Sequence, residues 1–153
     1  KTRPKFKISK TLLDVSKAGY KGRKNKQGFY KYDEKGKKVH GVVDAKIYSF
    51  YGGNTRKKTD VNDIHMRCGM AMVNEAALCL QENIIANPLD GDIGAVFGLG
   101  FPPFRGGPFR YIDSLGAQKV VDILNDLTKR FGERFEPAQI LLDYAKTNKK
   151  FYN

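Results

Sequence analysis

The stretch DVNDIHMRCGMAMVNEAALCLQENIIANP, residues 60–88, decides the fold. Asp60 stands where a helix N-cap is wanted, and Asn87-Pro88 stops any helix that begins there. Between them Ile64, Cys68, Ala71/Met72, Glu75, Leu78/Cys79 and Glu82 recur at helical spacing. This predicts a helix over about Val61–Ala86, longer than the average and therefore central. Downstream, residues 89–97 read as a short helix led by Asp90 and Asp92, since acids suit the positive end of a helix. Pro108 opens another helix that reaches Leu115. Ala117–Phe131 is amphipathic, with Val120, Val121, Leu124 and Leu127 on one face and Gly132 as its stop. Pro137–Lys146 is a last amphipathic helix carrying Ile140, Leu141 and Tyr144.

Upstream the signals are shorter. Residues 8–18 read as a helix with Ile8, Leu12 and Val15 on one stripe, Leu13 beside it and Gly19 at the end. Gly22–Gly28 is a basic loop, Phe29–Tyr32 is extended, and Asp33–Gly36 is a turn. Residues 39–59 have no clear period and read as a linker or surface excursion. Strand signals are nearly absent, so the expected fold class is all-α with helix packed on helix.

The 153 residues hold 28 Lys+Arg, 16 Asp+Glu and 41% hydrophobic residues, enough for a core and against wholesale disorder. That length excludes a two-domain dehydrogenase with its own dinucleotide fold. No stretch approaches the roughly 20 apolar residues of a membrane span, and no secretory leader is read. The opening at Lys1, without an initiator Met, is expected of a fragment. Residues 1–38 carry 14 Lys/Arg against 3 Asp/Glu, a net +11, whereas residues 39–153 carry 14 against 13. Such asymmetry points to an anionic partner: lipid headgroups, nucleic acid or a phosphorylated ligand such as coenzyme A. The interleaved Phe6, Tyr20, Phe29, Tyr30 and Tyr32 superficially suit base stacking. No helix-turn-helix, zinc or RNA-platform motif accompanies them, so nucleic acid is not the expected partner. A solvated lysine-rich surface accounts for the same charge.

Chemistry-bearing residues are few. Cys68 and Cys79, eleven residues apart on one helix, are separated by roughly 16 Å of rise. A disulfide needs Cα atoms within about 7 Å, so both are expected as free thiols packed in the core. With only His40 and His65, no metal cluster or Cys–His nucleophile assembles. Gly98-Leu99-Gly100 superficially resembles a phosphate loop. No strand precedes it, and Pro102-Pro103 lack the amides a phosphate cradle uses. An apolar turn is the better reading, with Phe97, Phe101, Phe104 and Phe109 crowded around it. Asn74-Glu75 is expected to make a satisfied helix–helix hydrogen bond rather than act as a base. Arg105 and Arg110 either meet an anion or pair with Asp113.

A family resemblance rests on these motifs. Gly22-Arg23-Lys24…Gly28-Phe29-Tyr30-Lys31-Tyr32 resembles the end of a C-terminal repeat in the 3-hydroxyacyl-CoA dehydrogenase family. Asn74-Glu75-Ala76, Gly91-Asp92-Ile93-Gly94, Phe97-Gly98-Leu99-Gly100-Phe101-Pro102-Pro103, Gly106-Gly107-Pro108-Phe109-Arg110, Asp113 and residues 116–122 resemble the second such repeat of multifunctional fatty-acid β-oxidation enzymes. Lys149-Lys150-Phe151-Tyr152 is similar to the C-terminus of a mitochondrial α subunit of that kind.

The resemblance implies an all-α dehydrogenase C-terminal-type domain with a long central helix. Residues 1–38 would be the basic tail of the preceding repeat, 39–59 a linker, and 60–153 the second repeat. The parent would combine enoyl-CoA hydratase with NAD-dependent L-3-hydroxyacyl-CoA dehydrogenase activity on long-chain acyl-CoA. NAD would bind an upstream Rossmann domain, where a His–Glu pair takes the hydroxyl proton. The family's assisting Asn is followed by Arg; here the aligned pair is Met66-Arg67, so the amide is gone. No catalytic residue and no metal are therefore expected in this chain. The second repeat would pack on the first as two subunits pair in single-function relatives. Phe97 stands where bacterial relatives carry a substrate-touching Tyr; it keeps the ring and loses the hydroxyl. Implied partners are the chain's own upstream hydratase and Rossmann domains, a thiolase β subunit, acyl-CoA and anionic inner-membrane lipid. The implied location is the mitochondrial matrix and inner membrane; no terminal Ser-Lys-Leu suggests peroxisomes. From charge alone, the alternative is a basic membrane- or nucleic-acid-binding helical module.

Overall fold

The computed structural model describes residues 3, 7–55 and 57–152. The chain forms two compact units, residues 1–58 and 59–153. Phe6, expected among the stacking aromatics, lies outside the described residues.

The first unit has a helix, α1 (Lys10–Lys17), and two short antiparallel strands, β1 (Tyr30–Tyr32) and β2 (Lys38–Val43). Tyr30 pairs with Val43 and Tyr32 with Lys38, with an irregularity between them. A 3-10 helix at Ala45–Tyr51 follows, started by Asp44, whose carboxylate accepts the Lys46 amide. Residues 39–59 are thus not a featureless linker, because strand, 3-10 helix and the buried Ile47 all fall within them. Every residue of β2 is exposed, so the strand has no inward face to print an alternating pattern. The predicted stripe of α1 holds only in part: Val15 is buried, while Ile8, Leu12 and Leu13 are exposed. Tyr20 stacks edge-on against Phe50, and Phe29 lies against Tyr51. These rings pack on each other.

The second unit is helical: α2 (Val61–Gln81), α3 (Pro88–Leu99), α4 (Pro108–Leu115), α5 (Ala117–Phe131) and α6 (Gln139–Thr147). Short 3-10 turns sit at Pro103–Arg105 and Glu133–Phe135. The all-α expectation holds, and the boundaries of α4 and α5 are those predicted. Asp60 caps α2 by accepting the amides of Asn62 and Asp63, as its side chain predicts. The core joins Met70, Val73 and Ala77 of α2 to Phe109 and Ile112 of α4, Val120 and Leu124 of α5, and Leu141 of α6. Fully burying side chains of this size contributes about 1.5–3 kcal/mol each.

The facing of α2 differs from the predicted stripe. Its buried positions are Met70, Val73, Asn74 and Ala77, while Ile64 and Cys68 are exposed. The helix carries apolar residues on two faces, so periodicity alone cannot choose which one enters the core. Cys68 is consequently not a core thiol, and Cys79 is half-buried; neither is in a disulfide.

Candidate functional site

Three of the second unit's backbone segments end without a side-chain cap of their own, and each is closed by a residue from elsewhere. The N-cap of α4 is Gly107, which has no side chain to offer. Asp92, buried in α3, reaches across instead. Its Oδ1 accepts the Phe109 amide at 2.7 Å and its Oδ2 the Arg110 amide at 3.2 Å. These are the second and third helical amides, the ones a local cap would take. The negative charge also lies at the positive end of α4. Asp92 was expected to serve the start of its own helix. That start is capped by Asn87, whose carbonyl oxygen accepts the Asp90 amide.

The Asp92 Oδ2 also accepts the Tyr152 hydroxyl at 2.6 Å. Desolvation, then the hydrogen bond to Asp92, raises the Tyr152 pKa far above its ordinary value, so the phenol stays a donor. The Arg110 guanidinium lies 3.7 Å from the centre of the Tyr152 ring. Asp113 holds the same terminal segment, accepting the amides of Phe151 and Tyr152 at 2.9 Å each. Of the two alternatives for Arg105 and Arg110, pairing with Asp113 is not what the structure shows: both Asp113 oxygens accept these backbone amides. Phe151 packs on Tyr144 and Phe109.

The glycines of the motif follow from this closeness. A Cβ on Gly107 would stand 2.4 Å from Asp92, and its φ of +112° disfavours other residues as well. A Cβ on Gly91 would stand 2.5 Å from the Phe109 ring.

Asn74 plays the matching role at α6. Its Nδ2 donates to the Glu136 carbonyl and its Oδ1 accepts the Ala138 amide, both at 2.8 Å. The amide thus brackets Pro137, and Gln81 Oε1 accepts the Ile140 amide at 3.0 Å. The expected satisfied hydrogen bond is present, though its partner is the segment before α6. With both ends of its amide engaged, Asn74 serves packing. His65 is exposed near the start of α2.

With Gly91 and Asp92 turned inward, α3 presents the opposite edge as an apolar strip. Leu89, Ile93 and Phe97 are exposed at 54%, 50% and 87%. Leu99 and Phe104 continue it. The crowding of four phenylalanines expected around Gly98–Gly100 is therefore half right: Phe101 and Phe109 are buried, Phe97 and Phe104 are not. Along this strip runs an open groove of about 190 Å³. Ile93 and Phe97 of α3 line it together with Pro103, Arg110 and Tyr152. Phe97 is the one predicted site residue, and the structure puts it on the groove. Arg110 and Tyr152 were not predicted as neighbours, because 42 residues of sequence separate them. The only sequence signal for the pair is that each belongs to a recognisable motif.

The groove suits an apolar chain with an anion or dipole near Arg110. It offers no acid–base machinery: Asp92 is occupied by three donors, and the Tyr152 proton is committed to Asp92. Among the described residues no group of three or more His, Cys, Asp or Glu could hold a metal. A dinucleotide does not fit the donor set. Gly98-Leu99-Gly100 ends α3, where carbonyls rather than amides point outward and the helix dipole is negative. The strands described are one antiparallel pair.

The second unit is thus a bundle of helices with an apolar groove along α3. The family model described as 3-hydroxyacyl-CoA dehydrogenase, C-terminal domain, matches residues 64–151. The chain belongs to this family and is part of a 3-hydroxyacyl-CoA dehydrogenase, a family that is NAD-dependent in general. The match runs from the first turn of α2 to Phe151, and so takes in Asn74, Asp92, Gly107, Asp113 and every groove residue except Tyr152.

Proposed function

We propose that this chain is the non-catalytic helical C-terminal part of a fatty-acid β-oxidation multienzyme, the α subunit of the mitochondrial trifunctional enzyme. In that setting enoyl-CoA hydratase and L-3-hydroxyacyl-CoA dehydrogenase chemistry on long-chain acyl-CoA lies upstream. NAD is held by a Rossmann domain outside these residues, and supplies the hydride acceptor there. The present helices support that site, help assembly with a thiolase β subunit, and line the acyl path.

The observation that carries this reading is the α3 groove within the family's own motif. Exposed Phe97, Ile93 and Leu89 give an acyl chain an apolar wall, and Arg110 beside Tyr152 gives a cation at its end. The chain's polar motif residues, Asn74, Asp92 and Asp113, are spent on backbone amides and carbonyls, which supports a scaffold role. Met66, aligned by the resemblance with the family's assisting Asn, is half-buried against the core, which supports a packing role there.

The test compares the 153-residue chain with the longer polypeptide. The short chain is expected to oxidise no NADH with acetoacetyl-CoA and to bind no NAD. The longer one is expected to turn over, with Phe97→Ala raising KM for long-chain substrates more than for short ones. Turnover by the short chain alone would overthrow the scaffold reading; equal KM effects at all chain lengths would remove Phe97 from the acyl path.

A further inference from the structure

We infer that the first unit holds a binding site for a phosphate-bearing anion, built from Lys26, Lys31 and Lys46 around the Tyr32 ring. These side chains line a cavity of about 420 Å³. Such a volume is within the range of small-molecule sites, about 300–1,000 Å³. The cavity also includes Asp44, so its formal charge is three positive and one negative. One Asp44 oxygen already accepts the Lys46 amide at 3.1 Å, which turns that carboxylate toward the backbone.

The site is constructed rather than a chance meeting of lysines. Lys26 has a φ of +59°, a left-handed conformation uncommon for residues other than glycine, asparagine and aspartate. Such a conformation persists only where surrounding contacts fix it. They do. The Gly22 amide donates to the Gln27 carbonyl at 2.8 Å, closing the loop. Gln27 bridges in turn to Lys31. The Lys26 ammonium donates to the Glu34 carbonyl, which fixes its direction and leaves further protons to offer. Gly28 packs against the Gly22 backbone, so closely that a Cβ there would stand 2.9 Å from the Gly22 Cα and 3.3 Å from the Tyr32 hydroxyl. From the opposite side, the Asp44 amide donates to the Phe29 carbonyl at 3.1 Å. That bond ties the start of the 3-10 helix, and with it Lys46, to the strand carrying Lys31.

Three ammonium groups, with a phenol near them, match a phosphate or diphosphate better than a carboxylate. A phosphate spreads its charge over several acceptor oxygens and so can take more than one ammonium donor, which a single carboxylate does less well. The surplus of +11 over residues 1–38 draws such anions to this unit. Neither a soluble phosphorylated ligand nor a phospholipid headgroup is favoured by this geometry, since both present the same group. The inference does not rest on the dehydrogenase reading, and it fails or stands separately.

The test uses the whole chain. Calorimetric titration with pyrophosphate and with adenosine 3′,5′-bisphosphate at low and moderate salt is run beside flotation with phosphatidylglycerol or phosphatidylcholine vesicles. Saturable one-to-one binding, weakening as salt rises, is expected. The Lys26→Gln/Lys31→Gln/Lys46→Gln variant is expected to weaken it at least about tenfold, each lost charge-assisted contact contributing severalfold. A control that removes as much charge elsewhere, Lys57→Gln/Lys58→Gln/Lys150→Gln, is expected to change it less than about twofold, as distant screened charges do. Gly28→Ala keeps the net charge, deforms the loop bearing Lys26, and is expected to weaken binding as well. Binding of the soluble ligands identifies a small-molecule source. Binding to phosphatidylglycerol alone identifies a headgroup. Equal losses in the two lysine sets, full binding by Gly28→Ala, or no saturable binding to any probe would each overturn the site.

Discussion

The Tyr152 hydroxyl donates to Asp92 at 2.6 Å across 60 residues of sequence, while the same carboxylate caps the start of α4. One buried acid thus joins three segments of the second unit. Removing it leaves two helix amides and a phenol without an acceptor. Asp92→Ala is expected to cost about 2–4 kcal/mol, the range for breaking a buried hydrogen-bonded network. Tyr152→Phe should cost about 1–1.5 kcal/mol, one hydrogen bond. Urea denaturation of both single variants and the double variant measures the coupling. A coupling near zero would mean the Tyr152–Asp92 bond contributes nothing.

Alkaline pH should weaken the same contact. The folded Tyr152 pKa is raised above its unfolded value of about 10. The unfolded chain can therefore release this proton where the folded chain cannot. Stability from this source is complete below about pH 10 and is lost as pH rises from there through the folded pKa. Wild-type stability is expected to fall more steeply above pH 10 than that of Tyr152→Phe. Parallel curves for the two proteins would contradict the assignment.

The glycines should divide into two groups. Gly91→Ala and Gly107→Ala put a Cβ within 2.5 Å of Phe109 or Asp92, so each is expected to cost 3 kcal/mol or more, or to prevent folding of the unit. Gly94 and Gly98 also lie in α3, but a Cβ there meets nothing within 4 Å. Their alanine variants are expected to raise stability by about 0.5–1 kcal/mol through helix propensity. Thermal unfolding of the four variants checks this, with opposite signs of ΔTm expected for the two groups.

Asn74→Ala should destabilise the α2–α6 corner by about 2–3 kcal/mol, because it strands the Glu136 carbonyl and the Ala138 amide. Hydrogen exchange at Ala138 should accelerate in step with the lost stability. Unchanged exchange there would show that another group satisfies the amide.

Much of the second unit was legible in the sequence, because punctuation there is local. Pro108, Gly116 and Gly132 mark the limits of α4 and α5, and Asp60 caps the helix it precedes. What could not be read is whatever crosses the chain. Asp92 looks like a first-turn acid of α3 until Gly107 is seen to lack a cap of its own. Asn74 resembles a lone polar residue in a helix until Pro137 is seen between its two partners. The facing of α2 was misread, with Ile64 and Cys68 assigned to the core, because apolar residues lie on two of its faces. Of the hairpin, the extended Tyr30–Tyr32 and the turn after it were legible, but the second strand, Lys38–Val43, escaped because an exposed strand has no burial pattern. Phe97 was singled out through the family resemblance and lines the groove, whereas Arg110 and Tyr152 were brought to the same groove by the fold.

The hold of Asp113 on the amides of Phe151 and Tyr152 makes the stretch after α6 a fastener for the whole second unit. The residues it fastens lie beyond the last helix, yet they supply both the ring that stacks on Tyr144 and the hydroxyl donor of Asp92. A chain cut between Thr147 and Phe151 therefore keeps all five helices and loses both contacts at once.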